Sequence, residues 1–160
     1  MQKDIEIKPL TIHDVDLLNQ TEKLFFDLHT HLNTKNLLLP LIENGEKIWL
    51  QSIKNTLGKY STIIVAVNKN KVIGFGCGIV KFLPDYLGSH KVGAITHFFI
   101  CDEYRNMNIG KRINDKLHEW FSLQNISSIE VQVAAINPGA ELFWHKNGFK
   151  HELIQLRKFM

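Results

Sequence analysis

HFFICDEYRNMNIGKRINDKL, residues His97 to Leu117, contains an apolar strand, a short polar loop and the start of a helix. From Ile95 to Ile100 nearly every side chain is apolar, as in a strand covered on both faces. From Ile109 the period becomes helical, with Ile109, Ile113, Leu117, Trp120 and Phe121 on one stripe. The chain must therefore turn sharply across Arg105, Asn106, Met107, Asn108 and Gly110. Backbone N–H groups without intrahelical acceptors gather at such a helix start, and here Lys111 and Arg112 stand beside them. This is a ready-made anion site, and phosphate is the commonest anion.

Two nucleotide motifs fail at this loop. A phosphate loop of the Gly-x-x-x-x-Gly-Lys-Ser/Thr type needs a glycine at Arg105 and a hydroxyl at Arg112. A dinucleotide fingerprint needs three glycines, and only Gly110 is present. The segment resembles the pyrophosphate-binding motif of the GNAT superfamily of acyl-CoA-dependent N-acetyltransferases, Gln/Arg-x-x-Gly-x-Gly/Ala after a strand ending in an apolar-x-x-acidic-Tyr run. Arg105, Ile109 and Gly110 match it, and Asn108 replaces the first glycine. Asparagine is the residue after glycine that most readily takes positive φ, so the turn is expected to survive. Read alone, the stretch is equally compatible with an ordinary strand, loop and helix carrying solvated charges.

A second segment, INPGAELFWHKNGF from Ile136 to Phe149, adds to the first. Asn137 can cap a helix whose first turn tolerates Pro138, and Asn147-Gly148 stops it. The run is similar to the other characteristic GNAT segment, Asn-x-x-Ala-x-x-Phe-aromatic-x-x-x-Gly-Phe, through Asn137, Ala140, Phe143, Trp144, Gly148 and Phe149. With a closing strand over residues 149–159, the resemblance covers essentially the whole chain. It implies an α+β (mixed α/β) fold with a central mixed, mostly antiparallel twisted sheet of about seven strands flanked by about four helices.

The remaining pattern agrees. Asp4 to Pro9 suggests a first strand; Thr11 and Asp14 can open a helix that runs to about Leu32 on Leu17, Leu18, Leu24, Phe25 and Leu28. Asn33 to Glu46 is loop-like, and a second helix to Leu57 places Ile48, Trp49, Ile53 and Leu57 on one side. Ser61–Val67 and Val72–Phe82 form a hairpin around Lys69-Asn70, and Val92–Ile100 and Ser127–Val133 are further strands. Gly74, Gly76 and Gly78 alternate along the second hairpin strand, which points to close packing there.

The 160 residues suit one domain over 1–160, with 44% hydrophobic and 22% charged residues. No apolar run approaches the roughly 20 residues of a membrane span, and the N-terminus is polar. The net charge of +3 is mild and the basic residues are scattered, which argues against nucleic acid. Cys77 and Cys101 lack metal spacing and read as free thiols of a cytoplasmic protein. His29 and His31, two apart on a helix, cannot hold one ion together, so no metal is expected. They read as exposed or capping residues. The expected partners are acetyl-CoA and an amine acceptor, with no nucleic acid, no membrane, and a homodimer left open.

The resemblance also assigns roles. Backbone groups of Phe98, Phe99 and Ile100 would bind the pantetheine arm of acetyl-CoA; Arg105, Asn106, Met107, Asn108, Ile109, Gly110 and Lys111 would hold its pyrophosphate; and Asn137 and Phe143 would contact the cofactor. The helices near the N-terminus would border the acceptor pocket. Relatives that protonate the departing thiolate use a Tyr where this chain has Trp144, whose indole N–H is only a donor. His97 occupies the region of the usual acidic base and can take a proton near neutral pH, which makes it the candidate catalytic residue. A histidine merely packed among Phe98 and Phe99 is the competing reading. Because Trp144 and Asn108 depart from the pattern, a catalytically weak acyl-CoA-binding module with the same fold is the alternative function.

Overall fold

The computed structural model describes residues 4–34 and 39–160. Its elements run β1 (Ile5–Pro9), α1 (Val15–Asn33), α2 (Gly45–Lys54), β2 (Ser61–Asn68), β3 (Lys71–Phe82), β4 (Lys91–Ile100), α3 (Ile109–Ser122), β5 (Ile129–Val131) and α4 (Pro138–Lys146). The strands lie side by side in chain order. β1 to β4 are antiparallel, and β5 joins β4 in parallel. Of the expected loop from Asn33 to Glu46, residues 35–38 lie outside the described residues.

β2 is buried along almost its whole length because both faces are covered. On one face Ile63, Val65, Phe75 and Cys77 meet Leu18, Phe25 and Leu28 of α1 and Leu50 and Ile53 of α2. On the other, Ile64, Ala66, Ile73 and Ile95 meet Ile109, Ile113, Leu117 and Phe121 of α3 and Trp144 of α4. The α3 stripe is the one the sequence predicts, and its four aliphatic and aromatic anchors are essentially inaccessible. The β2–β3 turn has positive φ at both Lys69 and Asn70, as a two-residue turn matched to strand twist requires. Gln20 of α1 clamps it, donating to the Asn70 carbonyl at 3.0 Å and accepting from the Val72 amide at 2.8 Å.

The glycines of β3 do serve packing. A Cβ on Gly76 would stand 2.9 Å from Ile113 and Leu117, and one on Gly78 2.9 Å from Phe121, so α3 rests directly on the strand backbone. Arg112 secures the same helix to β1, donating to the Ile5 carbonyl at 2.7 Å.

Several expectations are corrected. The sheet has five strands among the described residues, not about seven. The closing strand over 149–159 is absent: from Lys150 onward the chain is irregular and exposed, since apolar residues form a strand only beside a ladder partner. The expected strand Ser127–Val133 contracts to Ile129–Val131, where it can pair with β4. Ile48 is 57% exposed, so the buried side of α2 is carried by Leu50 and Ile53, with Trp49 at its margin.

Candidate active site

The site grows from an irregularity in β4. Cys77 pairs with His97 but Gly78 pairs with Ile95, so Thr96 is an extra residue on β4. A bulge of one residue shifts the alternation of side chains. Ile95 lies on the α3 face; without the bulge His97 would join it. With the bulge, His97 turns to the α1–α2 face, and Phe98 returns to the α3–α4 face.

β5 leaves at the same point. Its pairing with β4 ends at Ile95–Val131, so the second edge of β4 from Thr96 to Ile100 has no strand beside it among the described residues. β5 itself ends at Val131, so beyond it backbone donors and acceptors on this edge of β4 are open to an extended ligand. Phe98, Phe99 and Ile100 all lie on this stretch.

The loop after β4 closes the gap at one end. A short helical turn, Asp102–Tyr104, holds Glu103 and Tyr104 as loop architecture, with the Tyr104 hydroxyl accepting from Asn68 at 3.5 Å. Asn106 and Asn108 both have positive φ, of 60° and 61°, and Asn108 is the N-cap of α3. Asparagine thus supplies the left-handed turn that the family pattern assigns to glycine. The amides of Ile109, Gly110 and Lys111 open the helix ahead of its first intrahelical bond, Arg112 N–H to the Asn108 carbonyl at 3.2 Å. They and the helix dipole make a site for anionic oxygen.

Not every residue of the loop presents its side chain there. Arg105 donates from Nε to the Ile100 carbonyl at 3.1 Å and pairs with Asp102 at 2.8 Å. Lys111 pairs with Asp115 at 2.7 Å. Met107 packs against the α3-side core. Phe143 bridges the parts: it lies 5.5 Å from the Phe98 ring, and a Cβ on Gly110 would meet it at 3.2 Å. Asn137 caps α4 by accepting from the Ala140 amide at 3.3 Å, which leaves its side-chain N–H₂ as donor. Trp144 is 6% exposed and packs edge-on to Phe98 and Phe149, as a core residue.

On the other face His97 is enclosed by rings. Phe25 stacks on Trp49 at 4.1 Å, and His97 lies 4.8 Å from the first and 5.6 Å from the second, with His29 6.1 Å away. The His97 Nδ1 meets the Thr96 hydroxyl at 3.0 Å, leaving Nε2 for a ligand or water. Burial, aided by the neighbouring His29, pushes the His97 pKa down to about 3. His29 is likewise lowered by burial; it is half-buried in the site and not exposed or capping. Its Nδ1 and the Nε1 of Trp49 are buried without a hydrogen-bond partner. Such groups carry a desolvation cost that a water or polar ligand would relieve.

The sequence placed Phe25 and Trp49 on helix stripes and read His29 as exposed or capping, but assigned none of the three to the site. Phe25 and His29 share a helix face at i, i+4, but only the fold brings β4 and α2 to that face.

The model of the acetyltransferase (GNAT) family matches residues 25–149. Solved structures share the fold. The aminoglycoside N-acetyltransferase AAC(6')-Iy, in complex with CoA, superposes with a TM-score of 0.75 at 13% identity over 96% of this chain and 94% of that one. An aminoglycoside acetyltransferase from an uncultured soil metagenomic sample gives 0.73 at 16% over 98% and 97%. Glucosamine-6-phosphate N-acetyltransferase from Arabidopsis thaliana gives 0.68 at 16% identity over 97% of each chain. No curated protein sequence matches. The chain belongs to the GNAT family of acetyltransferases. It is an acyltransferase whose cosubstrate is acetyl-CoA.

Proposed function

We propose that this chain, as one domain over residues 1–160, transfers the acetyl group of acetyl-CoA to a primary amine of a small molecule or peptide, by direct attack while both substrates are bound. The observation that carries this reading is the end of β4–β5 pairing at Ile95–Val131, directly ahead of a left-handed turn and a helix N-terminus. A strand-like arm ending in a pyrophosphate fits those two features in that order.

Acetyl-CoA supplies a thioester carbonyl and a thiolate leaving group; the chain supplies position and polarity. Backbone groups of Phe98, Phe99 and Ile100 hold the arm and polarise the carbonyl. The turn and first amides from Asn106 to Lys111 take the pyrophosphate, with Arg105 bracing the loop against the Ile100 carbonyl. The Asn137 amide and the Phe143 ring line the opposite wall. The candidate base His97 acts through a water: its Nε2 accepts a hydrogen bond from the water that carries the acceptor's proton to solvent, and with a pKa of about 3 the imidazole itself stays neutral. Trp144 takes no part in proton transfer.

The acceptor enters over α1 and α2, where Glu22, Lys23, Phe26, Asp27 and Glu46 line a shallow groove whose three carboxylates outnumber its one ammonium, a balance suited to a cationic amine. The free thiols Cys77 and Cys101 fit a cytoplasmic setting. Association of two copies is supported by Leu153, Ile154 and Leu156, which are 88–90% exposed; light scattering tests it.

The deciding experiment measures free CoA thiol released from acetyl-CoA across a panel of amines. Amine-dependent release is expected. Tight CoA binding with no release for any amine would overturn catalysis in favour of a binding module.

A further inference from the structure

Away from this cleft, α4 carries a second cluster. Glu141 and His145 are one helical turn apart, with His145 Nε2 at 3.6 Å from a Glu141 carboxylate oxygen. His151, from the irregular segment after α4, brings its Nε2 to 2.9 Å from the same oxygen. The two imidazoles meet edge-on with centroids 4.7 Å apart, and one donor atom from each of the three residues lies within 4.8 Å of the others.

The orientation of His145 is informative. Its Nδ1 lies 3.0 Å from the Phe149 carbonyl, which can only accept, so Nδ1 bears the proton. In the neutral ring the Nε2 lone pair then points toward the Glu141 carboxylate, where 3.6 Å is too long for a hydrogen bond. Two lone-pair donors facing one point require a cation or a further proton. A ring held by Nδ1–H to a backbone carbonyl with Nε2 outward is also how ligating histidines are commonly oriented.

We propose that Glu141, His145 and His151 bind one divalent transition-metal ion of the zinc class, with the remaining position left to water. Two imidazoles and one carboxylate suit zinc, and also nickel or copper, better than magnesium or calcium, which prefer oxygen ligands. Tetrahedral donors on zinc are about 3.3 Å apart, so the 3.6 Å separation must shorten and the 2.9 Å one lengthen by a few tenths of an ångström, changes that side-chain rotation supplies without moving α4. The ion joins residue 151 to the helix and anchors the start of the C-terminal segment. Glu141 and His145 lie on the opposite side of α4 from Phe143, two residues from each, so occupancy is independent of acetyl transfer.

The test uses the full chain, stripped of metal and titrated with zinc against a chromophoric chelator, and with cobalt for its visible spectrum. One equivalent of zinc is expected, with a cobalt spectrum of low coordination number and slowed amide exchange at residues 150–152. Glu141→Gln, His145→Ala and His151→Ala should each weaken zinc binding by at least about tenfold, while His13→Ala, at an exposed residue outside the cluster, leaves it unchanged. All three ligands are at the surface, and unchanged circular dichroism of the metal-free variants checks that folding is intact. Absence of stoichiometric zinc binding, equal affinity in the ligand variants, or equal competition by magnesium would each overturn the site.

Discussion

The imidazole of His97 faces that of His29 across 6.1 Å, between β4 and α1, and burial lowers the pKa of both. Two histidines kept neutral by one apolar surround make acid costly to the fold. In the unfolded chain each binds a proton below about pH 6.5. In the native chain His97 does so only near 3, so between these values the unfolded state binds more protons. Stability is therefore fully present above about pH 6.5 and falls as pH drops toward 3, by at most about 1.4 kcal/mol per pH unit for His97. Urea midpoints at pH 8 and pH 5 should show this loss, and His97→Gln should flatten it.

The same burial separates the activity profile from imidazole titration. Turnover should rise with pH as the acceptor ammonium loses its proton, with no inflection near 6.5 from His97. His97→Ala should lower kcat by about 10- to 100-fold with CoA affinity unchanged. A full rate in that variant would return His97 to the role of a packed core residue.

Asn108 should tolerate glycine and reject β-branched residues. Its φ of 61° costs a β-branched side chain roughly 1–2 kcal/mol, whereas glycine adopts it freely. Asn108→Val should lower the melting temperature and weaken CoA; Asn108→Gly should do neither. Chemical denaturation and CoA titration of both variants check this.

Gly76 should transmit a packing error to the cleft. Gly76→Val drives atoms into Ile113 and Leu117 and should destabilise the fold by about 1–3 kcal/mol. Because those residues belong to α3, the helix start should move off the pyrophosphate position, and CoA affinity should fall with stability. Calorimetric titration below the unfolding midpoint separates the two effects.

Trp144→Phe should cost stability without changing the chemistry. The indole is buried among Phe98, Phe143 and Phe149, so a smaller ring leaves a void worth about 1–3 kcal/mol. A kcat close to that of the parent chain at a permissive temperature is expected.

Periodicity and turn chemistry made much of this molecule legible before its fold was known. The α3 stripe, the Lys69-Asn70 turn, the left-handed Asn108 and the Asn137 cap are local consequences of side-chain type, and each appears where the residues place it. The bulge at Thr96 was not legible, because its register is set by a partner strand and not by the residues of β4 themselves. The ring cluster of Phe25, His29 and Trp49 needed that register and the docking of two helices. The closing strand over 149–159 was expected from the family resemblance and not from a local pattern; whether it forms depends on an edge to pair with. Glu141 and His145 have readable spacing, but nothing local to them announces His151.

The gap between β4 and β5 also bears on the protein's lifetime. A β4–β5 ladder that stops at Ile95 leaves one edge of β4 to be paired from outside, so occupied and empty protein do not unfold equally. A ligand at 100 times its dissociation constant adds about 2.7 kcal/mol. The fraction of chains open to proteases then falls by about two orders of magnitude as acyl-CoA accumulates. Degradation of the protein should therefore slow as acyl-CoA accumulates.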